Sequence, residues 1–169
     1  GNTPEDLEQQ WREGAVASRL VSGETHRCLE PHKAFRGGHG LVSTASDYLN
    51  FCRMLLQRGQ WEGEHLLSPK TVELMTMNHI RQLMMPLEIR GYEIPGEGFG
   101  LGFGVNIDVA ASLNLGSVGT YGWAGLASTH FIIDPLEEMI LIQMTQFIHP
   151  PEQLLFKYLR TAVYQALID

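Results

Sequence analysis

Apolar positions change period several times along this chain, and each change marks an element. Around residues 45–58, Tyr48, Phe51, Cys52 and Leu55 recur at i, i+3, i+4 and i+7, the spacing of one buried helical stripe. Ser43 or Thr44 stands at its N-cap; with Thr44 there, Asp47 takes the capping-box position, and Gly59 ends the run. Ser68 caps a second helix, with Pro69 at the first helical position and Val72 and Met75 facing inward. Farther on the period falls to two. Phe99, Leu101, Phe103, Val105 and Ile107 alternate with Gly98, Gly100, Gly102 and Gly104, which predicts a strand over 98–108 whose glycine face admits a close neighbour. The β-rich runs 127–133 and 139–147 flank Asp134-Pro135, where proline fixes φ for a type I turn and aspartate accepts from turn amides, so they form a hairpin. Residues 116–123 predict a third antiparallel strand ending at Ala124-Gly125. After Pro150-Pro151 the helical period returns: Leu154, Leu155, Tyr158, Leu159, Ala162, Val163, Ala166 and Leu167 form a broad apolar face, as on a helix lying against a sheet. Helices packed on an antiparallel sheet make the fold class α+β.

The remaining stretches are less regular. Asn2 or Thr3 caps a short helix with Pro4 at its start and Glu5, Asp6 and Glu8 near its positive end. Residues 21–35 have no period, and Gly37-Gly38-His39-Gly40 has turn chemistry. Residues 77–95 also lack one; Met84 and Met85 there are read as fillers of core gaps, against the alternative of a loop over an apolar pocket. Residues 110–116 form a connecting turn. The expected organisation is one incomplete α+β domain: an irregular segment 1–36, a helical region 37–95, and strands plus a C-terminal helix over 96–169.

Composition narrows the function. A length of 169 residues suits one domain. With 12 Lys plus Arg against 19 Asp plus Glu, a formal net charge of −7, the chain lacks the concentrated positive surface that nucleic acid or an anionic membrane requires. No apolar run approaches the roughly 20 residues of a membrane span. No signal peptide is visible, and localisation stays open. Two cysteines make no disulfide framework; Cys52 reads as a small buried hydrophobe. His26, Cys28 and His32 invite a metal reading, yet H-x-C-x-x-x-H matches no standard ligand spacing, and loop residues are preferred; His39 is likewise read as an exposed loop histidine. The glycine runs fit neither the Walker pattern nor a dinucleotide fingerprint. No metal or cofactor is expected.

Two segments carry a resemblance. G-G-H-G-L-V-S-T-A-S-D-Y-L-N-F-C-R-M-L-L, continuing to L-L-S-P-K-T-V-E-L-M-T-M-N-H, and then Y-G-W-A-G at 121–125, resemble in order two segments of the β-lactamase-like serine hydrolases, the group of penicillin-binding proteins, class C β-lactamases and family VIII carboxylesterases. The resemblance covers most of the chain from Gly37 onward. It implies the C-terminal portion of a β-lactamase/transpeptidase-like fold, with Trp123-Ala124-Gly125 at the family's Lys/His-Thr/Ser-Gly position in the Trp-x-Gly form of its esterase and acyltransferase branches. By the same resemblance the backbone N–H of Leu126 helps form an oxyanion hole, and Trp123, Ala124, Gly125 and Tyr121 bind substrate. A donor fixed by a strand suits that task, because it needs no reorganisation as charge develops.

The sequence departs from the family in one decisive respect: no serine has a lysine three residues later, and Ser68-Pro69-Lys70 has the wrong spacing. Tyr48-Leu49-Asn50 fits the family's Tyr-x-Asn formally, but it lies within a regular helical stripe and reads as core. The expectation is a C-terminal fragment of a serine hydrolase that carries one wall of the cleft, lacks the Ser-x-x-Lys nucleophile and is inactive alone. Its intact form acts on a small acyl substrate, an ester or a β-lactam, and the ester is favoured because Trp123 leaves no fixed positive charge for a carboxylate. The strand 139–147 is then an interior strand without a neighbour, awaiting an N-terminal half or a second copy. The alternative is a non-catalytic scaffold or binding module derived from the same fold.

Overall fold

The computed structural model describes residues 43–89, 91–125, 127–145 and 152–168, apart from the side chains of 152–154. Helix α1 (Ala45–Leu56) begins where Thr44 Oγ1 accepts the Asp47 N–H at 3.1 Å, and the same hydroxyl donates to Asp47 Oδ2 at 2.9 Å. The expected cap is thus Thr44, with Asp47 closing onto the hydroxyl. At its other end Arg58 (φ 56°) and Gly59 (φ 95°) turn left-handed, and Gly59 N–H donates to Met54 O at 2.8 Å. A Cβ on Gly59 would strike the Leu67 carbonyl, so glycine is required there by contact as well as by φ.

A small hairpin follows, β1 (Gln60–Trp61) and β2 (Glu64–His65), turning through Glu62 and Gly63 with positive φ at both, as a two-residue hairpin turn demands. Helix α2 (Pro69–Met75) is capped by Ser68, whose Oγ accepts Thr71 N–H at 3.0 Å. A second hairpin joins β3 (Leu87–Ile89) to β4 (Tyr92–Ile94). Met84 is mostly exposed and Met85 is half-buried outside the apolar core, so these methionines do not fill core gaps.

The main sheet is antiparallel throughout: β5 (Glu97–Phe99), β6 (Gly104–Asn106), β7 (Tyr121–Ala124), β8 (His130–Asp134) and β9 (Met139–Gln143), in that spatial order. The short helix α3 (Val109–Ser112), capped by Asp108, occupies part of the expected connecting turn, and α4 (Glu152–Gln165) follows the sheet.

The strand expected over 98–108 is instead two strands, β5 and β6. Gly100 N–H donates to Phe103 O at 2.8 Å and Gly102 sits at φ 97°, which folds the run back on itself. The glycine face does meet close neighbours: a Cβ on Gly98 would collide with the Asn78 side chain, and one on Gly100 with the Met75 carbonyl. The other strands are shorter than expected. Residues 116–120 form a loop rather than the start of β7, since Gly116 and Gly119 have positive φ and Ser117 N–H turns inward to Asp134.

Beneath α1 and α2 lies one apolar core of Cys52, Met54, Leu55, Val72, Phe103, Val105, Tyr121, Phe131 and Ile133. Cys52 is fully buried, and burial pushes its thiol up to about 12. Tyr48 packs edge-on against Phe131 at 5.1 Å between ring centroids, a core role, and burial raises its hydroxyl above the usual value. The predicted face of α4 is only partly used. Leu155 and Tyr158 remain 48% and 68% exposed, while Phe156 and Arg160 are buried. The physical reason lies in the sheet and the loop before β7: Phe156 stacks on His130 at 4.4 Å, Tyr164 OH donates to Asp134 Oδ2 at 2.7 Å and Arg160 Nε donates to Leu115 O. Polar partners set the helix's rotation, and its apolar count does not.

Candidate functional site

Strand β7 runs from the core to the surface. Tyr121 is 3% exposed, held against Phe103 at 5.3 Å, and burial raises its hydroxyl well above the ordinary value. Its side chain therefore supports the strand from beneath and does not share the exposed end. Trp123, two residues on, is 42% exposed, and Ala124 and Gly125 are exposed with it. The Trp123 ring meets Phe99 edge-on at 4.9 Å, so β5 holds it across the sheet. Of the four residues expected to bind substrate, the fold brings three to one exposed strand end and places the fourth in the core. Leu126 lies outside the described residues.

Gly125 N–H donates to Thr129 O at 2.7 Å, and Ser128 N–H donates to Gly125 O at 3.1 Å, closing a tight turn between β7 and β8. A Cβ on Gly125 would meet Thr129 Oγ1, so a larger residue in the third place of Trp-Ala-Gly requires the Thr129 side chain to turn away. Ser128 is almost fully buried at φ 58°, uncommon for a residue with a side chain. Its carbonyl accepts from Gln143 Nε2 at 3.0 Å and Thr145 Oγ1 at 2.8 Å, and His130 Nδ1 lies 3.2 Å away. Burial holds His130 below its usual value, opposed by that carbonyl, so at neutral pH its uncharged ring offers an N–H there. Sequence reasoning passed over Gln143, Thr145 and His130. Gln143 did carry a signal, a polar residue interrupting the apolar run of β9, where a buried amide demands a partner.

The other deep polar group is Asp134. Its Oδ1 accepts from Leu136 N–H at 3.1 Å and Glu137 N–H at 3.3 Å, as the type I turn predicts. Oδ2 also accepts from Ser117 N–H, Thr120 Oγ1 and Tyr164 OH at 2.7–3.0 Å. Burial would raise this carboxyl, but donors from Tyr164, Thr120, Ser117 and Glu137 outweigh it and hold the group below the ordinary carboxylate value.

Among the described residues no group of histidine, cysteine, aspartate and glutamate is placed to hold a metal; His26, Cys28, His32 and His39 lie outside them. No described helix is long and apolar enough to cross a membrane. Two open hollows, about 270 Å³ by Leu115 and Tyr164 and about 250 Å³ by Leu49, Ile140 and Ile142, lie away from the Trp123 end.

The profile described as Beta-lactamase matches residues 2–164. Over 136 residues the chain is 37% identical to the uncharacterized protein MT1414 of Mycobacterium tuberculosis (strain CDC 1551 / Oshkosh), covering 78% of this chain and 33% of that protein. The chain thus spans about a third of the length of the curated relatives it matches. The simvastatin synthase LovD of Aspergillus terreus has a similar structure, with TM-score 0.64 and 21% identity over 82% of this chain and 37% of that one. So has EstCE1, a hydrolase with promiscuous acyltransferase activity, at TM-score 0.64 and 26% identity over 81% and 34%. A profile that runs unbroken through the capped helices, the exposed end of β7 and most of α4 leaves one assignment: the chain belongs to the beta-lactamase family.

Proposed function

We propose that this chain forms one wall of an acyl-transfer cleft, in which the Leu126 N–H helps bind the oxyanion and Trp123, Ala124 and Gly125 form the lip that meets the substrate. The observation that carries the reading is the delivery of Trp123-Ala124-Gly125 to an exposed strand end, closed by the Gly125–Thr129 hydrogen bond, in a member of this family. A strand end suits oxyanion binding, since donors fixed in advance need not reorient in the transition state. The attacking serine, of the Ser-x-x-Lys kind, comes from polypeptide outside these 169 residues. Attack on the acyl carbonyl forms an acyl-enzyme, which water or another acceptor then resolves.

The substrate is a small neutral acyl compound, an ester before a β-lactam, because Trp123 contributes an apolar face and no charge to grip a carboxylate. The acyltransferase activity of the structurally similar hydrolase EstCE1 supports acyl transfer as the reaction type. The outer edge of β9, unpaired among the described residues and flanked by Ile140, Ile142 and the exposed Met144, takes its neighbour from the same longer polypeptide. A second copy would instead show as a dimer of this chain by sedimentation. The complete gene product and this chain alone should be assayed with short-chain p-nitrophenyl esters and a chromogenic cephalosporin. The complete protein should hydrolyse the esters and the chain alone neither substrate. Faster cephalosporin turnover would overturn the ester preference, and no turnover by the complete protein would favour a non-catalytic module.

A further inference from the structure

Three side-chain donors converge on one carbonyl just past the lip. Gln143 Nε2 reaches Ser128 O at 3.0 Å; Thr145 Oγ1 lies 2.8 Å from both Ala127 O and Ser128 O; His130 Nδ1 stands at 3.2 Å from Ser128 O. The Thr145 hydroxyl has one proton to share between the two carbonyls, so three side-chain donors serve two adjacent oxygens of one short turn. Two of the donors, His130 and Gln143, come from β8 and β9, and Thr145 follows β9 by two residues, while the acceptors belong to the turn. Gln143 is itself buried, which makes its amide bond to Ser128 costly to lose.

We propose that Gln143 and Thr145 are positioning residues for the oxyanion donor, clamping the turn so that the N–H following Gly125 keeps a fixed direction. This rests on the acyl-transfer reading above. The chain of constraint is short. Gln143 and Thr145 hold the carbonyls of Ala127 and Ser128, and Ser128 N–H holds the Gly125 carbonyl at 3.1 Å. A trans peptide is planar, so whatever fixes a carbonyl fixes the N–H on the other side of the same bond. Small displacements of such a donor cost rate steeply, because its value depends on being preplaced. His130, the most distant of the three, braces the same oxygen while its ring is held against Phe156.

The test uses the complete gene product. Gln143→Leu and Thr145→Val keep approximate size and remove the donor; Thr145→Ser keeps it. The first two should lower kcat for p-nitrophenyl esters by about tenfold or more, below the full loss of an oxyanion donor, with KM within about twofold, and Thr145→Ser should restore the rate. Hydrogen exchange read by mass spectrometry on peptides covering 123–129 should speed up in Gln143→Leu and Thr145→Val and not in Thr145→Ser, while peptides of β8 and β9 stay protected. Unchanged exchange in the turn overturns the clamp, as does a KM effect without a kcat effect. If the turn loosens as expected in a protein that hydrolyses no ester, the clamp stands as structure, and its role in placing an oxyanion donor fails together with the acyl-transfer reading. Should Gln143→Leu not fold, Thr145→Val against Thr145→Ser decides the matter.

Discussion

On the side of α1 and α2 the sheet is closed by carbon: Cys52, Leu55 and Val72 meet Val105, Tyr121, Phe131 and Ile133. On the side of α4 it is closed by Phe156 and Ile132 together with Asp134, Arg160, Asn106 and Tyr164, most of them as deeply buried as the apolar core. The contrast separates two tasks. Apolar burial is non-directional and supplies most of the driving force, about 1.5–3 kcal/mol for each large side chain fully buried. Hydrogen bonds add less net energy but tolerate only one geometry, so the polar face fixes where α4 lies and how it is turned. Nor is the polar face fully satisfied. Both polar side-chain atoms of Asn106 and Arg160 Nη2 are buried without a hydrogen-bond partner among the described residues, and Glu97, paired across the ladder with Asn106, has its carboxyl raised by burial, with Arg160 opposing.

If that division holds, Ile133→Ala should be the most damaging of three changes. It opens a cavity at a fully buried position and should lower unfolding free energy by about 3 kcal/mol in urea titrations. A loss below about 1 kcal/mol would mean that the apolar side does not dominate. Asp134→Asn should cost about 2 kcal/mol, since an amide cannot accept from five donors and Ser117 N–H cannot turn away. It also carries a pH signature. A carboxyl held below its unfolded value, near 3.8, adds stability that is present above that value and lost as pH falls through the lower folded one. The variant's acid limb should therefore be flatter than the parent's, and parallel limbs would remove Asp134 from the account. Smallest, and opposite in sign, Asn106→Leu should stabilise by about 1 kcal/mol, because it replaces an unpartnered amide with a side chain of similar volume. A destabilised variant would show that the amide has a partner in solution, and would blur the contrast between the faces.

What could be read in advance followed from local rules. Thr44, Ser68 and the Asp134-Pro135 turn each depend on neighbours a few residues away, and spacing alone reveals such neighbours, whereas Trp123-Ala124-Gly125 stood out only through the family resemblance. Three features escaped. The 98–108 alternation is equally compatible with one strand or with two folded face to face, because period two survives a tight turn at Gly102. The face of α4 was misjudged because eight apolar residues suggest an oily seat, whereas the sheet presents Asp134 and His130. The clamp on Ser128 joins residues 15 and 17 positions apart, beyond the reach of any periodicity.

Tyr164 gives the last turn of α4 a purpose beyond length. Its hydroxyl shares one oxygen of Asp134 with Ser117 and Thr120, so a helix residue near the far end of the chain ties down a loop more than forty positions earlier. Anyone trimming this polypeptide for crystallisation or fusing a partner to its tail should therefore treat residue 164 as interior architecture and cut beyond it.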